Sequence, residues 1–315
     1  MVKKWREKRR KHLRRCVRLR PKKCSMATLL ARTFVRTFFF PKTPNLTFIL
    51  KRTHRYTSTA SSKLHVNGVD IHFEVAGEGS HVVLCMPGAL GSTQSDFGPQ
   101  LKRLKDEFTV IAFDPRGYGK STPPKRDFPI DFFERDASDA VSLMEALGHS
   151  KYSLLGWSDG GITAMILAAA HPESIHRLVV WGANATVTAK DIELYEVIRD
   201  TSKWSPKMRE PLEALYGKEG LQEMNSGWVD GITRFYTDRG GDICTSAVKK
   251  IDCPTLVVHG QKDPLVPQFH PEYLHANIKG AKLHVMPEGR HNLHLRFADE
   301  FNTLVSAFLK GGSKT

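Results

Sequence analysis

The sequence predicts an α/β fold in which a mostly parallel, doubly wound sheet carries an inserted helical cap. Three observations support this fold class. Short apolar runs alternate with segments of helical spacing, and an Asn-Gly pair separates the first two runs. About 70 residues also separate the run that ends near Trp181 from the run that begins near Pro254, which is too long for an ordinary connection.

The apolar runs predict eight strands. They lie at residues 64–67, 70–76, 82–86, 108–113, 152–156, 176–181, 254–259 and 282–286. Helical spacing predicts helices near 131–147, 159–171 and 297–309. Because Asn67-Gly68 favours a two-residue hairpin, we expect the first two strands to be antiparallel.

The long interval predicts a helical cap at about 184–245, where a lid can control access to a site. Its helical spacing covers residues 191–204 and 208–216, with a further helix expected over 228–236. Four cap aromatics are candidates to line a pocket, and the sequence assigns none of them individually: Trp204, Trp228, Phe235 and Tyr236.

The segment GWSDGG at 156–161 is the most informative stretch of the chain. It lies between a predicted strand and a predicted helix, and Ser158 has a glycine two residues to either side. A strand-turn-helix of this kind is a nucleophile elbow, whose glycines avoid collisions in the sharp turn. The turn also places the serine hydroxyl at a helix N-terminus, which favours negative charge.

A nucleophilic serine needs a histidine base, and the histidine needs an acid to orient it. In folds with this elbow the partners follow in the order Ser, Asp, His. Asp263 comes directly after the predicted strand 254–259, and His291 follows the strand 282–286. We therefore predict a triad of Ser158, Asp263 and His291.

Four other histidines fit a surface or capping role better than a catalytic one: His171, His259, His284 and His294. The oxyanion hole is expected to use the backbone N–H of Asp159 and a second N–H from the loop after strand 82–86. Ala89 is the predicted second donor, and Leu90 is the alternative.

On these residues, and on the D-x-R-G-x-G-x-S loop at 114–121, the chain resembles the α/β-hydrolase fold family from about Leu64 to Leu309. The segments GWSDGG, VHGQKDPLVP and MPEGRHNLHLRFADEF are similar to mitochondrial serine hydrolases of that family that act on α-amino-acid esters. The resemblance implies a serine esterase that works without a cofactor.

Asp159 admits two interpretations from the residues alone. A carboxylate next to the nucleophile can bind the protonated α-amine of a substrate through a charge-assisted hydrogen bond. Alternatively, an acidic residue simply stabilises the first turn of a helix. The family resemblance, in which the matching aspartate recognises an amino group, favours the first interpretation and a small-molecule ester with an α-amino group as substrate.

The net charge of +14 comes from the N-terminus. Through Lys63 there are 20 Lys and Arg against a single acid, Glu7, whereas the rest of the chain is mildly acidic. Arg-rich, acid-poor leaders are typical of mitochondrial presequences. We therefore predict a leader at 1–62, a hydrolase domain at 63–315 and a mitochondrial location.

Two alternatives remain open for the leader. Translation can begin at Met26 instead of Met1, or the basic run can be a nuclear or nucleic-acid-binding tail. We expect no nucleic-acid partner, and no run reaches the roughly 18 apolar residues of a membrane span.

The five cysteines form no paired framework and no Cys/His spacing is typical of a metal site, so we expect neither a disulfide framework nor a metal. No Gly-rich phosphate loop is present either. The oligomeric state is not fixed by the sequence, and a monomer is expected.

Two further functions stay open. A carbon–carbon bond hydrolase of ring-cleavage products uses a similar triad, and a ligand receptor can keep the fold without turnover. Haloalkane dehalogenases and epoxide hydrolases have an aspartate at the elbow, where this chain has Ser158.

Overall fold

A computed structural model describes residues 60–312. Over that range eight strands form a single sheet in the order β1-β2-β4-β3-β5-β6-β7-β8. The strands are β1 Ala60–Val66, β2 Val69–Ala76, β3 Val82–Met86, β4 Thr109–Phe113, β5 Tyr152–Trp157, β6 Ile175–Trp181, β7 Thr255–Gly260 and β8 Lys282–Met286. All pairs from β4 to β8 are parallel, which confirms the predicted mostly parallel sheet.

The first two strands form the predicted antiparallel hairpin, with Val66 paired to Val69. Asn67 and Gly68 both have positive φ, at 48° and 78°. Positive φ at both central residues is what a type I′ turn requires, and Asn-Gly tolerates it well. β2 also pairs antiparallel with β4, so the hairpin closes one edge of an otherwise parallel sheet.

Helices cover both faces of the sheet, as a doubly wound fold requires. They are α1 Thr93–Leu104, α2 Phe132–Ala146, α3 Asp159–Ala170, α4 Ala189–Val197, α5 Pro206–Tyr216, α6 Lys218–Arg239, α7 Thr245–Val248, α8 Phe269–Asn277, α9 Leu293–Arg296 and α10 Ala298–Leu309. The three predicted helices near 131–147, 159–171 and 297–309 correspond to α2, α3 and α10.

The apolar core lies on the two faces of the sheet. On one face, α2 and α3 contribute residues such as Leu143 and Met165. On the other, α1 and α10 contribute residues such as Phe97 and Phe301. Every residue of β3 is buried, as expected for a central strand of a parallel sheet. This rigid frame positions the loops at the carboxyl ends of the strands.

Helices α4 to α7 occupy the interval between β6 and β7, where the cap was expected. Their bounds differ from the predicted ones. The first ends at Val197 and is followed by a 3₁₀ turn at Thr201–Lys203, and α6 begins ten residues before Trp228. Gly220 and Gly227 lie inside α6, and glycine is unfavourable in a helix interior, which obscured its start in the sequence.

Within residues 60–312 no helix is long and apolar enough to span a bilayer, and no cluster of three or more potential metal ligands occurs. Cys85, Cys244 and Cys253 are buried free thiols. Cys16, Cys24 and the predicted leader up to residue 59, including Met26, lie outside the described residues.

Candidate active site

The predicted elbow is present at the end of β5. Ser158 has φ 54° and ψ −121°, a positive-φ backbone conformation that residues other than glycine rarely adopt. Helix α3 begins at the next residue. The Ser158 N–H donates to the Trp181 carbonyl at 2.9 Å and so ties the turn to β6. Because strained residues persist only when their surroundings fix them, this geometry marks Ser158 as a candidate for chemistry.

The two glycines of the elbow are required by close approaches of the backbone. A Cβ at Gly160 would lie 2.0 Å from the Met86 carbonyl oxygen, and one at Gly156 would lie 2.5 Å from the Gly160 oxygen. A side chain at Gly160 would therefore push the elbow away from β3, and one at Gly156 would push β5 away from the start of α3. This explains the G-x-S-x-G spacing in physical terms.

Asp263 and His291 are brought together by the loops after β7 and β8. His291 Nδ1 lies 2.9 Å from Asp263 Oδ2, and the other Asp263 oxygen accepts N–H groups of Leu265 and Val266 at 2.8 and 3.1 Å. Burial alone would raise the pKa of Asp263. The neighbouring His291 and the two backbone donors outweigh burial, so the pKa is lowered and the carboxylate stays ionised.

Ser158 and His291 line the same pocket. Trp157 holds the histidine in place, because its Nε1 donates to the His291 carbonyl at 2.8 Å and the two rings lie 5.4 Å apart. Among the described side chains, Ser158 Oγ makes no hydrogen bond, to His291 or to another residue. Such bonds often tighten only in the substrate complex, so the arrangement still fits a nucleophile and its base.

The loop after β3 faces the nucleophile. A Cβ placed on Gly88 would lie 3.3 Å from the Ser158 Cβ. Gly88 N–H donates to Asp96 Oδ2 at 3.0 Å and Gly91 N–H to the Gly88 carbonyl at 3.1 Å, which fixes the turn. Within residues 60–312, the N–H group of Ala89 donates to no protein acceptor, whereas the N–H of Leu90 interacts with the buried Tyr118 hydroxyl. The Ala89 N–H is thus the one open to an oxyanion.

Asp96 supports this loop from inside the protein. It is buried, and burial raises its pKa to about 7. The hydrogen bonds from Ser95 and Gly88 lower the pKa, but burial outweighs them. Asp96 carries no recognisable signal in the sequence, because its role depends on its position under the loop and on no motif.

Asp159 lies at the first position of α3 and is 8% exposed. Its Oδ2 accepts a hydrogen bond from Trp228 Nε1 at 2.8 Å, and among the described residues Oδ1 accepts none. Burial raises its pKa to about 7, although the Trp228 bond and the charge of Arg126 act in the opposite direction. The side chain lines the same pocket as Ser158 and His291, with one carboxylate oxygen uncommitted.

A second small cavity lies on the other side of Asp159, lined by Tyr118, Arg126 and Asp136. Arg126 is buried and forms a two-pronged ion pair with Asp136, at 2.8 and 2.7 Å. The guanidinium thus supplies buried positive charge near Asp159. Neither residue carried a recognisable signal in the sequence.

The cap aromatics divide by location. Trp228 lines the pocket, whereas Trp204 packs on Leu90 and Phe235 packs in the core against Phe133. Tyr236 is 42% exposed and is absent from the pocket lining. Tyr195, which was not among the candidates, also lines the pocket.

The surface or capping role expected for His294 is wrong. His294 is fully buried: its Nδ1 accepts from Trp181 Nε1 and its Nε2 donates to the Asp96 carbonyl, both at 3.0 Å. Burial lowers its pKa to about 3, so it is a neutral structural link to Asp96, the residue that supports the loop after β3. His259 is also buried, at 2% exposure, and not at the surface.

The family model described as alpha/beta hydrolase fold matches residues 81–214. The chain is 60% identical over 255 residues to Serine hydrolase BPHL of Homo sapiens, covering 81% of this chain and 88% of that protein. It is 30% identical to the pimeloyl-[acyl-carrier protein] methyl ester esterase of Neisseria meningitidis serogroup C, over 70% of this chain and 91% of that protein.

A similar solved structure is a mutant of the meta-cleavage product hydrolase CumD from Pseudomonas fluorescens IP01. Its TM-score is 0.67 at 23% sequence identity, with 80% of this chain and 98% of that chain covered. At this identity the likeness shows the shared fold alone.

Proposed function

The chain belongs to the α/β-hydrolase fold family and is a serine hydrolase, and we propose that it cleaves carboxylic esters of α-amino acids through Ser158, His291 and Asp263. The observation that carries this proposal is one pocket lined by an elbow serine, a histidine paired to a buried carboxylate, and a second carboxylate, Asp159, with one free oxygen. That combination offers both a nucleophile and a binding group for an ammonium.

The reaction begins when His291 Nε2 accepts the Ser158 proton as Oγ attacks the ester carbonyl carbon. The carbonyl oxygen becomes an oxyanion, which the N–H groups of Asp159 and Ala89 stabilise. His291 then gives its proton to the departing alcohol, and an acyl-enzyme remains on Ser158. A water that loses its proton to His291 attacks the acyl-enzyme; as the bond to Ser158 Oγ breaks and the acid is released, His291 returns that proton to Oγ.

Asp263 stays ionised through these steps, since its pKa is held below the ordinary value. It accepts the Nδ1 hydrogen of His291, which leaves Nε2 to face the serine, and it stabilises the imidazolium that forms. No step requires a cofactor or a metal.

Asp159 supplies the substrate preference. The α-amine of an amino-acid ester is one carbon from the reacting carbonyl, and Asp159 is one residue from the nucleophile. A carboxylate that binds the ammonium through a charge-assisted hydrogen bond would orient the ester for attack. The resemblance of the segments at residues 156–161, 258–267 and 286–301 to amino-acid ester hydrolases supports the same substrate class.

We also propose that the protein is mitochondrial. The support is the composition of the leader, in which 20 basic residues stand against one acid through Lys63. N-terminal peptide mass spectrometry of the protein from purified mitochondria tests this. A mature N-terminus near residues 55–62 is expected, whereas peptides from residues 1–25 in the native protein would contradict the proposed leader.

The activity is tested with a matched pair of esters that differ only in the α-amino group. We expect a higher kcat/KM for the amino ester, and Ser158→Ala should abolish turnover of both. Equal kcat/KM for the two esters would leave a general esterase. Turnover of a ring-cleavage product by carbon–carbon bond hydrolysis, with none of either ester, would replace the proposal.

A further inference from the structure

The hydroxyl of Tyr216 joins the cap to two loops of the hydrolase core. Tyr216 is the last residue of α5, and its hydroxyl donates to the Leu90 carbonyl at 2.9 Å. The same oxygen accepts the N–H of Gly119 at 2.9 Å. Leu90 belongs to the loop that faces Ser158, and Gly119 to the loop after β4. One hydroxyl therefore uses both its donor and its acceptor capacity on the backbone of the core.

Leu90 is held in an unfavourable backbone conformation. Its φ is 61°, in the left-handed region that non-glycine residues rarely occupy. Its side chain is 4% exposed and packs in a cluster with Trp204 and Leu221, both of which belong to the cap. The cap thus contacts Leu90 twice, through its side chain and through its carbonyl. Strained residues persist only where the surroundings fix them in this way.

Both contacts restrain the loop after β3, which carries the proposed oxyanion donor. The Leu90–Gly91 peptide is held at its carbonyl by Tyr216 and at its N–H by the Gly88 carbonyl, at 3.1 Å. On the other side, Gly88 N–H is held by Asp96. The free N–H group of Ala89 and the N–H of Leu90 lie between these fixed points. Their direction therefore depends on the conformation of Leu90.

We infer that Tyr216 is a positioning residue for the oxyanion hole, so that the hole is complete only when the cap is seated on Leu90. This inference rests on the proposed esterase mechanism. The role of Tyr216 differs from that of Asp159, because the oxyanion forms on every ester, with or without an amine. Loss of the Tyr216 hydroxyl should therefore reduce kcat for both kinds of ester by the same factor.

The test compares Tyr216→Phe with Tyr236→Phe in the full-length protein. Tyr236 is another cap tyrosine, but it is exposed and lies outside the pocket lining. For Tyr216→Phe we expect kcat to fall roughly 5- to 50-fold on the amino ester and on its des-amino analogue, with KM changed less than about twofold. Complete loss of one oxyanion donor costs about 10²- to 10³-fold in kcat, and displacement costs less. Tyr236→Phe should match the unmodified protein.

A transition-state analogue separates positioning from a general loss of structure. A trifluoromethyl ketone analogue of the amino ester adds to Ser158 and places a hemiketal oxyanion in the hole. Its inhibition constant should rise by the same factor by which kcat/KM falls in Tyr216→Phe. The inhibition constant of the product acid, which forms no such oxyanion, should stay within about twofold. A uniformly loosened protein would weaken both ligands.

A second variant, Leu221→Ala, loosens the side-chain contact on Leu90 without touching the hydroxyl. Measured below its Tm, it should show the same signature of lower kcat and weaker ketone binding. If both variants only lower Tm and keep kcat, or if the loss is confined to KM or to the amino ester, the inference is wrong. Absence of Ser158-dependent turnover in the unmodified protein would instead overturn the proposed function on which it rests.

Discussion

Trp228 donates its indole N–H to the carboxylate of Asp159 at 2.8 Å, although the two residues are 69 positions apart in the chain. Trp228 belongs to α6 in the cap, and Asp159 belongs to the elbow at the end of β5. The bond occupies one carboxylate oxygen and leaves the other without a protein donor among the described residues. The cap therefore orients Asp159, the residue that is proposed to bind the substrate's amine.

Replacement of Asp159 by Asn should lower kcat/KM for the amino ester by roughly 10- to 150-fold, because a hydrogen bond to a charged group contributes about 1.5–3 kcal/mol. The des-amino ester should change by less than about threefold. Steady-state kinetics on the matched pair measure both. Asp131→Asn is the control for loss of one carboxylate, because Asp131 is exposed and its side chain makes no capping hydrogen bond. It should leave kcat/KM unchanged for both esters. An equal loss on both esters would contradict amine recognition.

Replacement of Trp228 by Phe keeps an aromatic ring in the buried position but removes the indole N–H that donates to Asp159, together with part of the ring volume. Because that hydrogen bond lowers the Asp159 pKa, its loss should raise the pKa above about 7 and reduce the ionised fraction. We expect the preference for the amino ester to fall roughly 2- to 10-fold at pH 7. In an Asp159→Asn background, Trp228→Phe should cause little further fall in the preference for the amino ester. Additive losses in this double-mutant cycle would show that Trp228 acts independently of Asp159.

The preference for the amino ester should itself depend on pH. Burial raises the Asp159 pKa to about 7, so the free enzyme gains the recognising carboxylate as the pH rises through that value. The ratio of kcat/KM for the two esters should therefore increase up to about tenfold between pH 6 and 7.5. Above about pH 8 it should fall again, because an ordinary α-amino group loses its proton near 7.7–8.0. Any effect of pH that is common to the two esters cancels in the ratio, so a flat ratio would mean that Asp159 does not change its ionisation between pH 6 and 7.5.

The parts of the site that follow local patterns were predictable from the sequence. Ser158, Asp263 and His291 each lie at the carboxyl end of a strand, and the strand pattern places those ends together. The Asn67-Gly68 hairpin is likewise specified by two adjacent residues. In these cases the conformation depends on neighbours in the chain.

The parts that depend on distant contacts were not predictable. Trp228 and Tyr216 act on residues 69 and 126 positions away, and no spacing rule connects them. Helix α1 was missed because Gly98 and Pro99 lie inside it and resemble a helix break. Its proline is tolerated because tertiary packing buries Phe97 and Leu101 on either side. Packing of this kind appears only once the chain is folded.

Replacement of Asp263 by Asn should lower kcat by about 10⁴-fold on both esters, since an amide in place of the carboxylate favours the wrong histidine tautomer. KM should change little, because Asp263 lies behind His291 and is 1% exposed at its side chain. Asp252→Asn, an exposed aspartate paired with Lys279, is the matched control and should keep full activity. A loss below about tenfold with Asp263→Asn would mean that another acid orients His291.

A second hydrogen-bonded Ser–His–Asp group provides a stringent test of which serine is the nucleophile. Ser61 Oγ lies 2.8 Å from His72 Nε2, and His72 Nδ1 lies 2.9 Å from Asp114 Oδ2. Ser61 sits in regular strand β1, however, and not at a strained turn before a helix. Asp114 also accepts the N–H groups of Thr93 and Lys120, at 2.7 and 2.8 Å, so this Ser–His–Asp group ties loops together.

A hydrogen-bonded Ser–His–Asp geometry alone does not supply an oxyanion hole or an elbow. A fluorophosphonate probe should therefore label Ser158 alone, as read by mass spectrometry of tryptic peptides. Ser158→Ala should abolish labelling and Ser61→Ala should leave its rate unchanged. Label found on Ser61 in the Ser158→Ala protein would show that the second Ser–His–Asp group activates its serine as well, and that the elbow is not what selects the nucleophile.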